Sequence, residues 1–229
     1  MRVEPFVVGS YIHAMKRGAR GLPITRTIVD RQRFVRLLYF MNEAYQDENW
    51  ESSTASLSMF ERPDRWPDRQ PLVRILGWVL MPNHFHLYIS PRRRLGDLGE
   101  ETNSISVFVQ KLCTSYSMYF NKKYKRTGKL FEGPFKAVHT KNDVQSKYIF
   151  SYIHLNPLKL IDPLWKEKEI RNVKKSIEFL NKYEWSSYLD FRKIKRLRGR
   201  ILNLKVFPQY FLDKEIFDKE IFDWVTFNK

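Results

Sequence analysis

The sequence predicts an α+β protein in which helices pack on an antiparallel sheet of ferredoxin-like topology. Two observations predict this class. Apolar residues follow strand and helix periodicity in the order strand, helix, strand, strand, helix, strand, helix. The two central strands are separated only by a short turn containing Pro82 and Asn83, as in a β-hairpin. An antiparallel sheet covered by helices buries the apolar faces of all these elements.

The first strand is predicted over residues 3–13, which are rich in β-branched and aromatic side chains. It ends before Gly18 and Gly21, since glycines interrupt regular structure. Residues 30–45 place apolar side chains at helical spacing, and Asp30 is a suitable residue to cap that helix.

Residues 46–71 are polar and rich in proline, which predicts a loop or insertion. The segment 72–80 is the next predicted strand, and 84–90 forms the second strand of the hairpin. A basic loop follows over 91–99.

A long amphipathic helix is predicted over 103–124, ending before Gly128. Residues 130–139 are predicted to form a strand, and the Gly-Pro pair inside it indicates an edge position. The last helix of this unit covers 143–155 and stops at Pro157.

The composition changes after Leu164. We expect one domain over residues 1–165, followed by a charged, mainly helical extension over 166–229. This extension contains a tandem DKEIF repeat whose apolar pairs recur every five residues, a period that fits neither a helix nor a strand cleanly.

The composition limits the classes of function. The chain has 229 residues, 41 Lys and Arg against 25 Asp and Glu, and a net charge of +16. Such a charge attracts polyanions, and nucleic acid is the commonest of these. The longest apolar run is too short to cross a bilayer, and the N-terminus lacks the features of a signal peptide. Cys113 is the single cysteine, so we expect a soluble cytoplasmic protein without disulfides or a multi-cysteine zinc site.

Two histidines flank one bulky residue in the segment His84-Phe85-His86. On a strand, residues two apart project from the same face, so both imidazoles point the same way. Two convergent imidazoles can bind a divalent metal ion. The alternative is a pair of unrelated histidines at the start of a strand.

Tyr148, Tyr152 and Asn156 are spaced four residues apart, so they lie on one face of the last helix. The amide oxygen of Asn156 is a possible third metal ligand, and a tyrosine oxygen near a metal suits attack on phosphorus. Tyr148 is the alternative nucleophile. A stripe of ordinary core tyrosines is the alternative to any catalytic role.

The motifs MPNHFHL, RTGKLFEGPFKAV and YIHLNP occur in this order, after a start of VVGSYIHAMKRGARGLPI and RQRFVRLL. Together they resemble the single-tyrosine HUH transposases, and specifically the branch of REP-associated tyrosine transposases. The resemblance covers about residues 3–165. The proline-rich insertion and the charged extension depart from the pattern.

The resemblance implies an HUH endonuclease fold and a metal-dependent enzyme that cuts and rejoins single-stranded or hairpin DNA. The reaction it implies leaves a 5′-phosphotyrosine and a free 3′-hydroxyl. Tyr152 matches the catalytic tyrosine, and the metal ligands fall on His84, His86 and Asn156. The implied metal is Mg²⁺ or Mn²⁺, and imidazole ligands favour Mn²⁺. The resemblance to this branch implies a monomer, and a dimer stays open because related enzymes form dimers.

Basic residues are concentrated in two segments, 14–21 and 121–131, and in the second they are interleaved with the aromatic residues Tyr124 and Phe131. Lysine and arginine there would bind phosphates while aromatic rings stack on unpaired bases. The predicted DNA-binding residues are Lys16, Arg17, Arg20, Lys122, Lys123, Lys125, Arg126 and Lys129. Arg92, Arg93 and Arg94 follow the histidine strand, and the sequence leaves open which end of the hairpin they adjoin.

Two other functions compete with a DNA-cutting enzyme. One is a non-catalytic nucleic-acid-binding module on a sheet like that of RNA-recognition domains. It has no need of the histidines, the tyrosine and the asparagine together. The other is a histidine-based metallohydrolase, for which the sequence offers no carboxylate ligand near the pair. His139 and His154 are candidates for supporting the site, and His154 is off the helix face of Tyr152. Cys113 is expected in the core.

Overall fold

The hairpin predicted from the sequence forms the centre of the sheet. In a computed structural model of the chain, β2 (Val73–Leu80) and β3 (His84–Pro91) pair in antiparallel fashion. The structure describes residues 4–45, 47–93, 101–168, 170–205 and 207–226.

Two further strands, β1 (Ile12–Arg17) and β4 (Lys136–His139), complete a four-stranded sheet in the order β2-β3-β1-β4. All neighbouring strands are antiparallel. The helices are α1 (Ile28–Phe40), α2 (Trp50–Ser53), α3 (Ser104–Lys123), α4 (Asp143–Leu155), α5 (Val173–Lys182), α6 (Tyr188–Phe191), α7 (Gln209–Leu212) and α8 (Lys214–Thr226). The first part of this succession is the β-α-β-β-α-β order of ferredoxin-like proteins, so the predicted fold class is confirmed.

The sheet separates two helical layers because alternate side chains of a strand point to opposite faces. Phe85 of β3 packs against Phe34 of α1, with ring centroids 5.1 Å apart, on the face covered by α1 and α3. His86 is on the opposite face, where its ring is 5.5 Å from that of Tyr152 on α4. The histidine face of the sheet is therefore the one that α4 covers.

The first strand begins later than the sequence predicts. Instead of residues 3–13, it covers Ile12–Arg17. Gly9 adopts a φ of 89°, and the Ser10 amide donates to the Val7 carbonyl, so a turn precedes the strand. As a result, Arg17 lies on the strand and pairs with His84.

Helix α1 also begins earlier than predicted. Thr27 is the cap, and Asp30 is the third residue of the helix, where its side chain accepts from the Thr27 amide in a capping box. The predicted strand over 130–139 is reduced to β4, because Gly133 adopts a φ of 44° before it. Among the strands in the described part of the chain, β4 pairs only with β1, which confirms the predicted edge position.

Segments after residue 165 complete the layer that covers the histidine face. The amide of Leu80 donates to the carbonyl of Trp185, and the amide of Ser187 donates to that of Trp78, so this segment covers the outer edge of β2. The DKEIF repeat lies in α8 except for its first residue, Asp213, and Phe217 within it is buried facing α4. The division of the chain at residue 165 stays a prediction.

Within the described ranges, none of the helices has both the length and the hydropathy required to cross a membrane.

Candidate active site

His84 and His86 lie at the start of strand β3, and both side chains are on one face of the sheet, as their spacing predicts. Their ring centroids are 5.0 Å apart, and the rings are nearly perpendicular. His86 is fully buried, while His84 is partly open to a cleft at the hairpin end of the sheet. The two imidazoles therefore converge at the floor of this cleft.

Asn156 reaches the same place from the end of α4. The residue caps the helix, and Pro157 stops the α-helical pattern directly after it. The Asn156 side chain is buried, and its Oδ1 lies 3.2 Å from Nε2 of His84. The structure thus brings the Asn156 side chain to a histidine pair that lies 70 or more residues earlier in the chain.

Asn83 determines which nitrogen of His84 carries the proton. Its Nδ2 donates to the carbonyl of Gly21 at 3.2 Å, so its Oδ1 faces Nδ1 of His84 at 2.7 Å. An amide oxygen only accepts, so Nδ1 of His84 must donate. The lone pair of His84 Nε2 then points at the Asn156 oxygen, and two acceptors face each other. A cation between them would satisfy both.

His86 has a comparable arrangement. Its Nδ1 lies 2.8 Å from Nε2 of His13 on β1, while its own Nε2 is buried and has no hydrogen-bond partner among the residues that the structure describes. A buried polar atom without a partner is unusual and requires an explanation. A bound cation would supply the missing partner.

The histidines of this site are held neutral, the form that binds metal ions. Burial lowers the pKa of both His13 and His84 to about 4. The nearby positive charges of Lys159 and Arg17 also lower the pKa of His84, while the Asn156 oxygen, which would accept from a protonated Nε2, acts in the opposite direction. Burial holds the pKa of His86 well below its usual range.

Tyr152 stands against these histidines from the face of α4. Its ring meets the rings of His86 and His13 edge-on, at centroid distances of 5.5 Å and 6.1 Å. Trp165 also stacks on the Tyr152 ring, with ring centroids 6.1 Å apart, and the Lys166 ammonium lies 4.9 Å from the centroid of that ring. The loop after α4 therefore holds the phenol over the histidine pair.

Tyr148 lies one helical turn away and has a different environment. Its ring is parallel to that of Tyr152 at 6.3 Å, contacts Trp224 at 5.3 Å and is 40% exposed. A hydrogen bond from Lys166 to Tyr148 raises the pKa of Lys166. Tyr152 lines the cleft together with the histidines, whereas Tyr148 is not among the residues that line it.

The cleft has a positive wall. It is lined by Met15, Arg17, Gly21, Pro23, Met81, Pro82, Asn83, His84, His86, Tyr152, Lys159 and Leu160. This set contains two cations and no carboxylate. An anion in the cleft would therefore meet attraction and no fixed negative charge.

The two predicted basic segments lie side by side. The Ala19 amide donates to the Leu130 carbonyl, and the Glu132 amide donates to the Arg17 carbonyl. Between these bonds, Gly18 and Phe131 form an isolated antiparallel β-bridge. The segment 121–131 therefore adjoins the end of β1 that carries Arg17. Their DNA-binding role stays a prediction.

The predicted DNA-binding side chains have different environments. Arg17, Arg20, Lys122, Lys125 and Lys129 are exposed, and Arg126 is half-buried over the Phe120 ring. The Lys16 ammonium donates to the carbonyl of Gly133, on the sheet face opposite the histidines. Lys123 forms an ion pair with buried Asp30 at 2.6 Å.

The remaining candidates lie away from the cleft. Arg92 and Arg93 follow the far end of β3, roughly 25 Å of strand from His84, and Arg94 is outside the described residues. His139 stacks on Phe6 next to the edge of the sheet. Buried Cys113 lies in the core, as expected.

His154 has a structural environment, as its position off the Tyr152 face indicates. It is fully buried, with Nδ1 2.8 Å from the Phe150 carbonyl and Nε2 2.8 Å from the Ser187 hydroxyl. These bonds connect α4 to the C-terminal segment.

Five residues of the site carry no prediction from the sequence: His13, Asn83, Lys159, Trp165 and Lys166. Asn83 adjoins the histidine motif, and Lys159 follows Asn156 by three residues, so their positions in the sequence are a signal for both. The other three reach the site through strand register and loop packing, which no local pattern specifies.

The donor set fits a hard or borderline divalent cation such as Mn²⁺, because it combines two imidazole nitrogens with an amide oxygen. Among the residues that the structure describes, no group of three or more His, Cys, Asp or Glu side chains is arranged to hold a metal ion. A metal ion here would therefore need water or substrate oxygens to complete its coordination.

Comparisons with known proteins add one structural likeness. No family model matches the chain, and no curated protein matches it. This chain is similar to a solved structure of a REP-associated tyrosine transposase bound to a REP hairpin. The alignment covers 90% of this chain and 94% of the transposase chain, with 12% sequence identity and a TM-score of 0.48.

Proposed function

We propose that this protein cuts and rejoins single-stranded DNA through a covalent bond between Tyr152 and a 5′ phosphate, with a divalent metal ion as cofactor. The observation that carries the proposal is the position of Tyr152, edge-on to His86 at 5.5 Å in the cleft that also holds His84 and Asn156. A binding module has no use for a phenol, two neutral imidazoles and an amide oxygen converging in one cleft.

Different residues of the cleft have different roles in the proposed reaction. Arg17 and Lys159 attract the phosphate of the strand and hold it over the histidines. The metal ion, bound by His84, His86 and Asn156, would polarise the phosphate oxygens. Trp165 stacks on the Tyr152 ring and the His86 ring contacts it edge-on, and these contacts limit the orientations of the Tyr152 oxygen.

The proposed step is a transesterification that conserves the number of phosphate ester bonds. The Tyr152 oxygen forms a bond to phosphorus and releases its proton to solvent. The bond from phosphorus to the 3′ oxygen breaks, and that oxygen takes a proton to become a free hydroxyl. Because the phosphotyrosine ester retains the free energy of the broken bond, a 3′-hydroxyl can attack it and rejoin the strand.

The substrate class follows from the charge and the aromatic residues. The basic segments 14–21 and 121–131 adjoin each other next to the cleft, so a strand held there can extend along both. Phosphate contacts supply affinity independent of sequence, and the ring of Tyr148, which is 40% exposed beside Tyr152, offers a surface on which an unpaired base can stack. Single-stranded or hairpin DNA is therefore the proposed substrate.

The test uses a DNA hairpin with single-stranded flanks, labelled at either end, together with Mn²⁺. With a 3′ label, the label should move to the position of the protein on a denaturing gel, because the protein is joined to the 5′ end of the downstream fragment. With a 5′ label, a shorter free fragment should appear. Tyr152→Phe should abolish the adduct, while Tyr148→Phe, the matched control one turn away, should retain it.

Two results would contradict the proposal. An adduct that survives Tyr152→Phe and disappears in Tyr148→Phe would place the nucleophile one turn away. Tight DNA binding without cleavage or adduct in the wild type would support the binding module instead.

A further inference from the structure

The hydrogen bond between His13 and His86 has a function in the proposed metal site. We propose that His13 is a positioning residue that holds His86 in the tautomer with its proton on Nδ1, so that the lone pair of Nε2 faces the cleft. This inference rests on the metal site proposed above.

The geometry restricts how the two rings interact. His13 Nε2 and His86 Nδ1 are 2.8 Å apart, and the ring planes differ by only 19°. Two imidazoles that are nearly coplanar and joined through nitrogen atoms share one proton between a donor and an acceptor. One of the two nitrogens must therefore carry the proton.

The surroundings of His86 decide which nitrogen that is. Its side chain is buried, and its Nε2 has no hydrogen-bond partner within the described residues. If His13 were the donor, the proton of neutral His86 would be on Nε2, where a buried N–H group would face the cleft without an acceptor. If His86 is the donor, Nε2 presents a lone pair to the place where His84 and Asn156 also direct their acceptors.

The hydrogen bonding of His84 supports the assignment of the His86 proton to Nδ1, because the two histidines have similar surroundings. Asn83 accepts from Nδ1 of His84 and leaves its Nε2 free for the cleft. His13 would do the same for His86, so each histidine has one acceptor behind it. Partners behind metal-binding histidines fix the ring and its tautomer, and their loss typically costs 10–100-fold in metal affinity.

The register of the sheet explains why His13 can take this role. His13 lies on β1 opposite Tyr88, so it shares the histidine face and is a diagonal neighbour of His86. Its ring also meets Tyr152 edge-on at 6.1 Å. One side chain therefore contacts both a proposed ligand and the proposed nucleophile.

The first test measures the tautomer directly in the metal-free, full-length protein. Long-range ¹H–¹⁵N correlation spectra near neutral pH distinguish protonated from unprotonated ring nitrogens. We expect His86 to carry its proton on Nδ1 in the wild type. A proton on Nε2 would overturn the inference, whether or not any variant folds.

The second test measures Mn²⁺ binding by calorimetry, without DNA. His13→Leu removes the acceptor and should weaken binding by about 10–100-fold. His13→Gln retains an oxygen that can accept, so it should restore most of the affinity. His139→Leu, which changes a histidine far from the cleft, is the matched control and should bind like the wild type.

The outcomes separate this inference from the proposed function. Unchanged Mn²⁺ affinity in a folded His13→Leu protein would overturn the positioning role, and so would a wild type that binds no Mn²⁺. Mn²⁺ binding that depends on His13, in a protein that forms no covalent adduct with DNA, would support the inference and overturn the proposed chemistry.

Discussion

Asp30 connects the start of α1 to the end of α3, and replacing it tests how the basic segment 121–131 is held. Its carboxylate is fully buried and accepts from Lys123 at 2.6 Å, from Tyr124 at 2.6 Å and from Tyr119 at 2.9 Å. The backbone amides of Arg26 and Thr27 also donate to it. Asp30→Asn keeps the shape of the side chain but replaces one acceptor oxygen with a donor and removes the charge.

The expected loss follows from these contacts. The capping contribution at a helix start is about 1 kcal/mol, and a hydrogen bond to a charged group contributes about 1.5–3 kcal/mol. Because the Lys123 side chain is 31% exposed, water recovers part of its interaction. We expect Asp30→Asn to lower the free energy of unfolding by about 2–4 kcal/mol, or roughly 5–15 °C in Tm.

The effect should depend on pH with a definite sign. Hydrogen bonds from Lys123, Tyr124 and the two backbone amides outweigh burial and hold the pKa of Asp30 well below its usual range. The folded state thus favours the carboxylate, and its contribution is present above about pH 4 and is lost as the pH falls further. The difference between wild type and Asp30→Asn should therefore narrow under acid conditions.

Urea denaturation at neutral and acid pH, followed by circular dichroism, measures both quantities. Lys122→Ala is the matched control, since that side chain is exposed and next to Lys123 in the sequence. A change below about 0.5 kcal/mol for Asp30→Asn, the size typical of ordinary surface substitutions, would refute the reasoning.

Two further predictions concern the predicted ligands of DNA and metal. Lys129→Ala should weaken binding to single-stranded DNA and reduce the slope of log affinity against log salt by about 0.7, the value for one phosphate contact, whereas Lys123→Ala should chiefly lower Tm. Fluorescence anisotropy over a salt series measures the slope, and thermal melts measure Tm. An unchanged slope for Lys129→Ala would count against its phosphate contact. Asn156→Ala should weaken Mn²⁺ binding in calorimetry, while Asn156→Asp should preserve or strengthen it because a carboxylate is a better ligand for hard cations. Equal Mn²⁺ affinity in the wild type and both variants would exclude Asn156 as a ligand.

The sequence determined the elements whose signal is local. The hairpin, the helices α3 and α4 and the edge position of β4 follow from periodicity and from glycine and proline, and the structure confirms them. The same local signal gives the shared face of His84 and His86, since strand alternation requires it. Boundaries were less certain: β1 shifts because a turn at Gly9 outweighs the strand preference of the residues before it.

Only the tertiary structure decided which distant residues meet. The register of β1 against β3 brings His13 to His86, and the packing of α4 brings Tyr152 rather than Tyr148 over the histidines. The tertiary structure also places Lys123 in an ion pair with buried Asp30. Such contacts depend on strand register and on the packing of helices against the sheet. These are collective properties of the buried core, so no short stretch of sequence encodes them.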